Sequence, residues 1–347
     1  MSATTHQHYL PVREDWLATT PEEALEPAQP IIDPHHHLWD RPGWRYLLDE
    51  ILADLRCGHD IRATVHVQAR SMYRADAPAA LAPVGETEFV NGIAAMSASG
   101  QYGPARIAAG IVGFADLRLG AAVREVLEAH IAVAGGTSGR FRGIRHTTTW
   151  DPDPVTLNPA NAAPEGMMDS AEFRAGFAEL GKLGLSYDAW LHFHQIPRLT
   201  SLARAFPGTR IVLNHCGGVL GIGRYTRETT FPIWLAAMRD LATCPNVMVK
   251  LGGLGMRLPG FGFETRARAP SSTELAEAWK PWMMTLVELF GSTRCMFESN
   301  FPVDKGGFAY GVGWNAMKRL AAGASPTEKD DLFWRSAQLF YRLPEIA

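Results

Sequence analysis

An α/β architecture, a (β/α)8 TIM barrel with an N-terminal arm and long loop insertions, is predicted by three features of the sequence. Eight short β-rich runs alternate with longer segments of helical period, and eight is the number of strands that closes such a barrel. The 347 residues, 46% of them hydrophobic, suffice for one large core. No G-x-G-x-x-G follows the first run, as a doubly wound dinucleotide-binding sheet would carry. The later stretch Gly217-Gly-Val-Leu-Gly-Ile-Gly223 lacks that spacing.

Residues 1–29 are polar and punctuated by Pro11, Pro21 and Pro27, which predicts an arm laid over the domain rather than a core element. A single barrel domain is expected over 30–347. Its strands are expected at Ile31 to His37, Ala63 to Gln68, Ile107 to Phe114, Gly143 to His146, Ala189 to His194, Ile211 to His215, Val247 to Leu251 and Cys295 to Glu298. Helical period places helices over Ala121 to Ala134, Ser170 to Leu183, Pro197 to Phe206, Ile233 to Ala242, Ser272 to Phe290 and Pro326 to Phe340. Asp151 to Met168, rich in Pro and Asn, and Gly252 to Pro270 read as long loops, which in a compact barrel are usually functional.

Charge and composition exclude several classes. A formal net charge of −3 with no block of like charge leaves no footprint for nucleic acid or a membrane surface. The first thirty residues carry His6, His8, Arg13 and Asp15, with no basic lead and apolar run of a signal peptide. Nothing approaches the roughly 20 apolar residues that span a bilayer. Cys57, Cys216, Cys244 and Cys295 are scattered and suit a reducing compartment as small buried apolar residues. A cytoplasmic protein acting on a small molecule is expected.

Histidine placement separates this chain from a generic barrel. His35, His36, His37, His66, His146, His192, His194 and His215, eight of the twelve, fall in or beside predicted strands. In a strand, residues i and i+2 face one side, so His35 and His37 project together, about 6.6 Å apart along the chain, and His36 points away. Two converging imidazoles make half of a metal site or a pair of donors for an anionic substrate. His36 and His66 read as satisfied structural residues. His192 and His194 repeat the pattern. Arg142 and Arg145 bracket Gly143-Ile144, where a guanidinium fork could clamp a carboxylate or simply form a surface ion pair. Lys250 is a charge inside an apolar strand and needs a partner or a task. There is no G-x-S-x-G, H-E-x-x-H or Walker loop.

These segments, in order, are Ile31-Ile-Asp-Pro-His-His-His-Leu-Trp-Asp40, Arg142-Gly-Ile-Arg-His146, His194-Gln-Ile-Pro197, Leu213-Asn-His-Cys-Gly217, Val249-Lys-Leu-Gly252 and Glu298-Ser-Asn-Phe-Pro302. From about residue 30 onward the chain resembles the amidohydrolase superfamily, in particular the amidohydrolase-2 branch that holds sugar-acid lactonases and 2-pyrone-4,6-dicarboxylate lactonase. The resemblance implies His35, His37, His194 and His215 at the strand ends, with a carboxylate at the position of Asn300. It also implies either one divalent metal, zinc or manganese, that activates water, or a metal-independent mechanism. Family habit points to a homo-oligomer.

Asn300 departs from the pattern: relatives read Ser-Asp-Trp-Pro, and an amide can neither accept the proton nor charge-balance a metal. Glu298, two residues earlier on the same strand face, is the expected replacement, with Asp304 the second choice. The competing reading makes Glu298 a structural partner of Lys250 or an arginine. The function expected is hydrolysis of a lactone of a small carboxylated or aromatic-derived substrate. Arg142 or Arg145 would hold a carboxylate, His146 and Lys250 would line the site, and Trp39, Trp44, Tyr73, Trp150 and Phe301 would suit a ring. A metal-dependent decarboxylase or hydratase of an aromatic-type acid is the alternative chemistry, and a barrel used only for binding the alternative class.

Overall fold

The computed structural model describes residues 9–158 and 162–345. The first eight residues of the expected arm, with His6 and His8, lie outside it, as do residues 159–161 of the first long loop and the last two residues.

Eight parallel strands form one sheet in sequential order. They are β1 (Pro30–His36), β2 (Asp60–Val67), β3 (Arg106–Gly113), β4 (Phe141–Ile144), β5 (Ser186–Ala189), β6 (Ile211–Leu213), β7 (Val247–Leu251) and β8 (Cys295–Phe297). The seam closes beyond β8: Asn300 N–H donates to His35 O (2.9 Å), His37 N–H donates to Phe301 O (2.8 Å), and His36 bridges Phe301 in parallel. After each strand comes a helix: α1 (Leu48–Leu55), α2 (Val84–Ala98), α3 (Val123–Val133), α4 (Ala171–Lys182), α5 (Ile196–Ala205), α6 (Arg227–Leu241), α7 (Ser272–Phe290) and α8 (Tyr310–Leu320). The protein is therefore a (β/α)8 TIM barrel, as the alternation implies.

The barrel interior is a packed layer of Ile32, Ala63, Val65, Val67, Val112, Val212 and Met296. The chain's last helix, Ser336–Tyr341, seals its floor with Ala337, Phe340 and Tyr341. Outward residues of the strands join the helices in the larger core. Burial on both faces is why the strands read as nearly continuous apolar runs. The described part of the arm runs along α8, where Asn315 Oδ1 accepts from Leu25 N–H (2.8 Å) and Lys318 Nζ donates to Leu25 O and Glu26 O, both at 2.8 Å.

Two strands differ from expectation in ways that matter below. β4 starts at Phe141, two residues early, so Arg142 lies near its entry and Arg145 just past its exit. The strands can approach there because residue 143 is Gly: a Cβ would sit 2.3 Å from Ser186 O. β5 is Ser186–Ala189, earlier than expected, because its inward Asp188 is hidden in an ion pair that breaks the apolar pattern. His192 and His194 consequently lie beyond the strand, in a turn leading into the 3-10 segment Phe193–Gln195. Gln195 fixes that turn by accepting from His192 N–H (3.1 Å) and donating to Thr148 O (2.8 Å).

Candidate active site

β1 carries a register irregularity between Asp33 and His36. With Ile32 facing inward, strict alternation would turn His36 inward; the irregularity re-aims His35 and His37 instead. Asp33 clips it by accepting from His35 N–H (3.2 Å), Ser299 N–H (3.0 Å) and Tyr310 Oη–H (2.9 Å). His36 lies 2.8 Å from Thr64 Oγ1, away from the His35 and His37 pair.

A pocket opens at the exits of the strands, with His37, Arg145, Trp190, His215, Asn300 and Arg257 in its wall. The imidazoles of His35 and His215 lie 4.5 Å apart, and those of His35 and His37 lie 5.0 Å apart. Glu298, fully buried behind them, links the first two: Oε1 accepts from His215 N–H (3.0 Å) and lies 2.7 Å from His215 Nδ1, while Oε2 lies 2.6 Å from His35 Nδ1. Glycines make room for this arrangement. A Cβ on Gly252 would come within 2.4 Å of Glu298 Cγ, and one on Gly253 within 2.4 Å of His215 Cβ. His215 itself sits at φ 56°, a left-handed conformation that a non-glycine residue holds only under constraint.

With Nδ1–H directed at Glu298, the Nε2 lone pair of His215 is available at the pocket, and Trp190 packs edge-on to the ring (4.7 Å). Burial lowers the His215 pKa, against the opposing pull of Glu298, so the imidazole is neutral at neutral pH. Burial likewise pushes His35 and His37 well below the usual histidine range, helped by Lys250 and Arg145 respectively. His37 lies 2.7 Å from Val67 O through Nδ1 and 3.3 Å from Asn300 Oδ1 through Nε2. A neutral His37 that donates to Val67 presents a lone pair to that oxygen. The donor count closes if the Asn300 amide turns over to donate to His37 and accept from a protonated Asp304. Burial, reinforced by Glu298, raises the Asp304 pKa well above the usual value and supplies that proton.

Arg145 is buried and faces the pocket with no carboxylate against it. Nη1 donates toward His35 Nε2 (3.2 Å), Nη2 donates to Gln68 O (2.6 Å), and Nε has no partner. Lys250 is neutralised behind the site: Nζ donates to Asp188 Oδ1 (2.7 Å) and Pro34 O (2.8 Å), and Tyr341 Oη–H donates to the same Asp188 oxygen (2.8 Å). Lys250 is thus a structural pillar rather than a wall of the pocket, and Glu298 is not its partner.

Several expected site residues lie elsewhere. Arg142, at the entry of β4, is turned to the opposite end of the barrel and bonds Phe141 O (3.2 Å). His146 faces the helix layer, where Nδ1 accepts from Leu117 N–H (3.2 Å). His194 is removed by the turn after β5 and lies 2.8 Å from Asp151 Oδ2. Asp304 is held behind Asn300 by Gly255 N–H (2.9 Å) and by the Asn300 amide (2.7 Å). Trp39 stacks on the back of His37 (5.7 Å). Neither it nor Trp44, Tyr73, Trp150 or Phe301 is in the pocket wall, whose rings come from Tyr9 and Trp190. No periodicity marked Tyr9, which belongs to the arm; Trp190 stands two residues before a histidine already singled out.

Among the described residues, two groups could hold a metal by residue type and separation: His35, His215 and Glu298, and Asp151, His192 and His194. In the first, Glu298 Oε2 has no aligned donor, which favours a cation. Against it, both Nδ1 atoms already stand within 2.7 Å of the carboxylate, and Arg145 and Lys250 each place a nitrogen 3.2 Å from the His35 ring. The arrangement as it stands fits a proton-holding triad, while its residue types and spacing are also those of a group that could hold a metal ion.

Residues 32–343 match the family model described as amidohydrolase. The uncharacterized protein y4mH of Sinorhizobium fredii is 33% identical over 337 residues, 90% of this chain and 98% of its own length. An L-fucono-1,5-lactonase of Burkholderia multivorans is 27% identical over 332 residues, 91% of this chain and 97% of its own. A solved amidohydrolase from Burkholderia multivorans with bound zinc gives a TM-score of 0.68 at 25% identity, covering 90% of this chain and 99% of that one.

Proposed function

Because the chain belongs to the amidohydrolase family and is a hydrolase, we propose that it opens a small lactone by water attack, with His215 as general base and Glu298 as the positioning carboxylate. The observation that carries this reading is the 2.7 Å contact between Glu298 Oε1 and His215 Nδ1 at the pocket wall. It supports a carboxylate that acts through one imidazole on a substrate held in the pocket. A positioned carboxylate fixes the tautomer and stabilises the imidazolium that forms.

In this mechanism a water between His215 Nε2 and the ring carbonyl loses a proton to Nε2 as its oxygen bonds to the carbonyl carbon. Arg145 stabilises the negative oxygen that develops. Collapse breaks the bond to the ring oxygen, which takes the proton back from His215, leaving an open hydroxy acid. His37, held by Val67 and Asn300, closes the wall beside it. A sugar-acid lactone, as named for the Burkholderia relatives, is the first substrate class to test. Ring opening of a panel of sugar-acid and aromatic-derived lactones, followed by acid release, tests the reading. Carbon dioxide from aromatic acids with no lactone opened would move the protein to decarboxylation.

Two further outcomes are expected. His215 must be neutral to act, and its pKa lies below the ordinary 6.5, so kcat/KM rises with pH along a limb centred below 6.5 and is flat at neutrality. A limb centred above 6.5 would assign the base elsewhere. Dialysis against a chelator, with metal content read by elemental analysis, is expected to leave lactone hydrolysis intact. Loss of activity restored by zinc would overturn the metal-free mechanism.

A further inference from the structure

At the floor of the barrel, opposite the pocket, is a cleft of about 910 Å3 whose lining includes Arg106, Arg140, Arg142 and Arg342. Arg106 opens β3, and Arg140 and Arg142 flank Phe141 at the opening of β4. Arg342 follows the sealing helix in a left-handed conformation (φ 51°). Their hydrogen bonds go to uncharged oxygens: Arg106 to Pro104 O (3.1 Å), Arg140 to Asn91 Oδ1 (2.7 Å), Arg142 to Phe141 O (3.2 Å) and Gly139 O, and Arg342 to Arg142 O (3.1 Å). Arg142 is 9% exposed, yet its Nε has no partner, and Nη1 of Arg342 is also buried without one. Glu345 is the acidic residue in the lining, and it is solvent-exposed.

Among the described residues none of these four guanidiniums is in an ion pair, so they repel one another, and Arg142 Nε and Arg342 Nη1 are buried donors without a partner. Burial and Arg140 depress Arg142, and burial with Arg210 and Arg142 brings Arg342 down to about 10. An arrangement that leaves charged donors unsatisfied costs stability unless a ligand completes it. The lactone mechanism uses none of these residues.

We propose that this cleft is a binding site for a small multivalent oxyanion, recognised through the guanidinium forks of Arg142 and Arg342, with Arg106 and Arg140 at its rim. Planar forks suit phosphate and polycarboxylate oxygens alike. The apolar part of the lining, including Ile107, Ala94 and Pro344, accommodates a ligand body attached to the anionic group.

The test titrates the full chain with inorganic phosphate and, separately, citrate, by calorimetry and thermal unfolding, with sodium chloride at matched ionic strength as control. Saturable binding of one anion per chain is expected, with a rise in Tm that chloride does not reproduce. Comparing the two probes separates a phosphate ligand from a carboxylate one. Arg106→Gln/Arg342→Gln should weaken binding about tenfold or more, as expected for lost charge-assisted bonds, while lactone hydrolysis is retained. Arg145→Met should leave the binding intact, separating this site from the pocket. Arg140→Gln serves as a second variant if the double one does not fold. Equal responses to phosphate, citrate and chloride, wild-type binding by the Arg variants, or binding abolished by Arg145→Met would overturn the proposal.

Discussion

His215→Asn is expected to lower kcat/KM for lactone opening by about 10²–10⁴, the range a positioned general base contributes. Asparagine suits this test because the position has φ 56°, which Asn tolerates better than most residues. The folded protein should therefore persist while the proton acceptor is gone. Glu298→Gln removes the charge that stabilises the imidazolium but leaves an oxygen able to accept from Nδ1, so its loss should be smaller than that of His215→Asn. Because the two act as one unit, the double variant should be no slower than His215→Asn alone. Steady-state kinetics of the three variants, with pH profiles, check this. A Glu298→Gln loss equal to or larger than that of His215→Asn, with additive losses in the double variant, would make Glu298 the base itself.

Arg145→Met should cost about 10²–10³ in kcat, the usual effect of removing a donor aimed at a developing oxyanion. The same change takes away a buried guanidinium that no carboxylate faces, and burial already disfavours its charge. Thermal stability should accordingly hold or rise as activity falls, the trade expected where a site keeps a strained charge for function. Arg145→Lys keeps the charge but loses the fork and should recover only part of the rate. Calorimetric Tm read beside kcat distinguishes this from a structural role, since a structural arginine would lower both. Unchanged kcat in Arg145→Met would remove the residue from the mechanism.

The barrel was legible because its strands are buried on both faces and separated by helical segments; Val247–Leu251 falls where its Val-rich run places it. Three helices were not legible. In α8, Gly311 and Gly313 weaken the helical signal, yet they are needed where a Cβ would meet Cys57 at 2.9 Å and Phe308 at 2.5 Å. In α2, Asn91 and Gly92 break the apolar face, and Gly85 packs where a Cβ would meet Met72 O at 2.5 Å. Close packing between helices is a tertiary demand that local propensity does not carry. The His35 and His37 pair was visible from its spacing, although a register irregularity delivers it to the interior. His194 and Arg142 show the opposite failure: displaced strand boundaries put one in a turn and the other at the far end of the barrel. Glu298 was visible only through the departure at Asn300, and its role depends on His215, eighty-odd residues away in sequence.

The seam that joins β1 to the segment after β8 also imposes an order on biosynthesis. Ribosomes add about 5–20 residues per second, so the free edge of β1 waits on the order of tens of seconds for Asn300 and Phe301 to be made. Throughout that interval the strand that bears His35 and leads into His37 is an open template for pairing with other chains. Mutations that delay ring closure are expected to surface as aggregation before any change in catalysis.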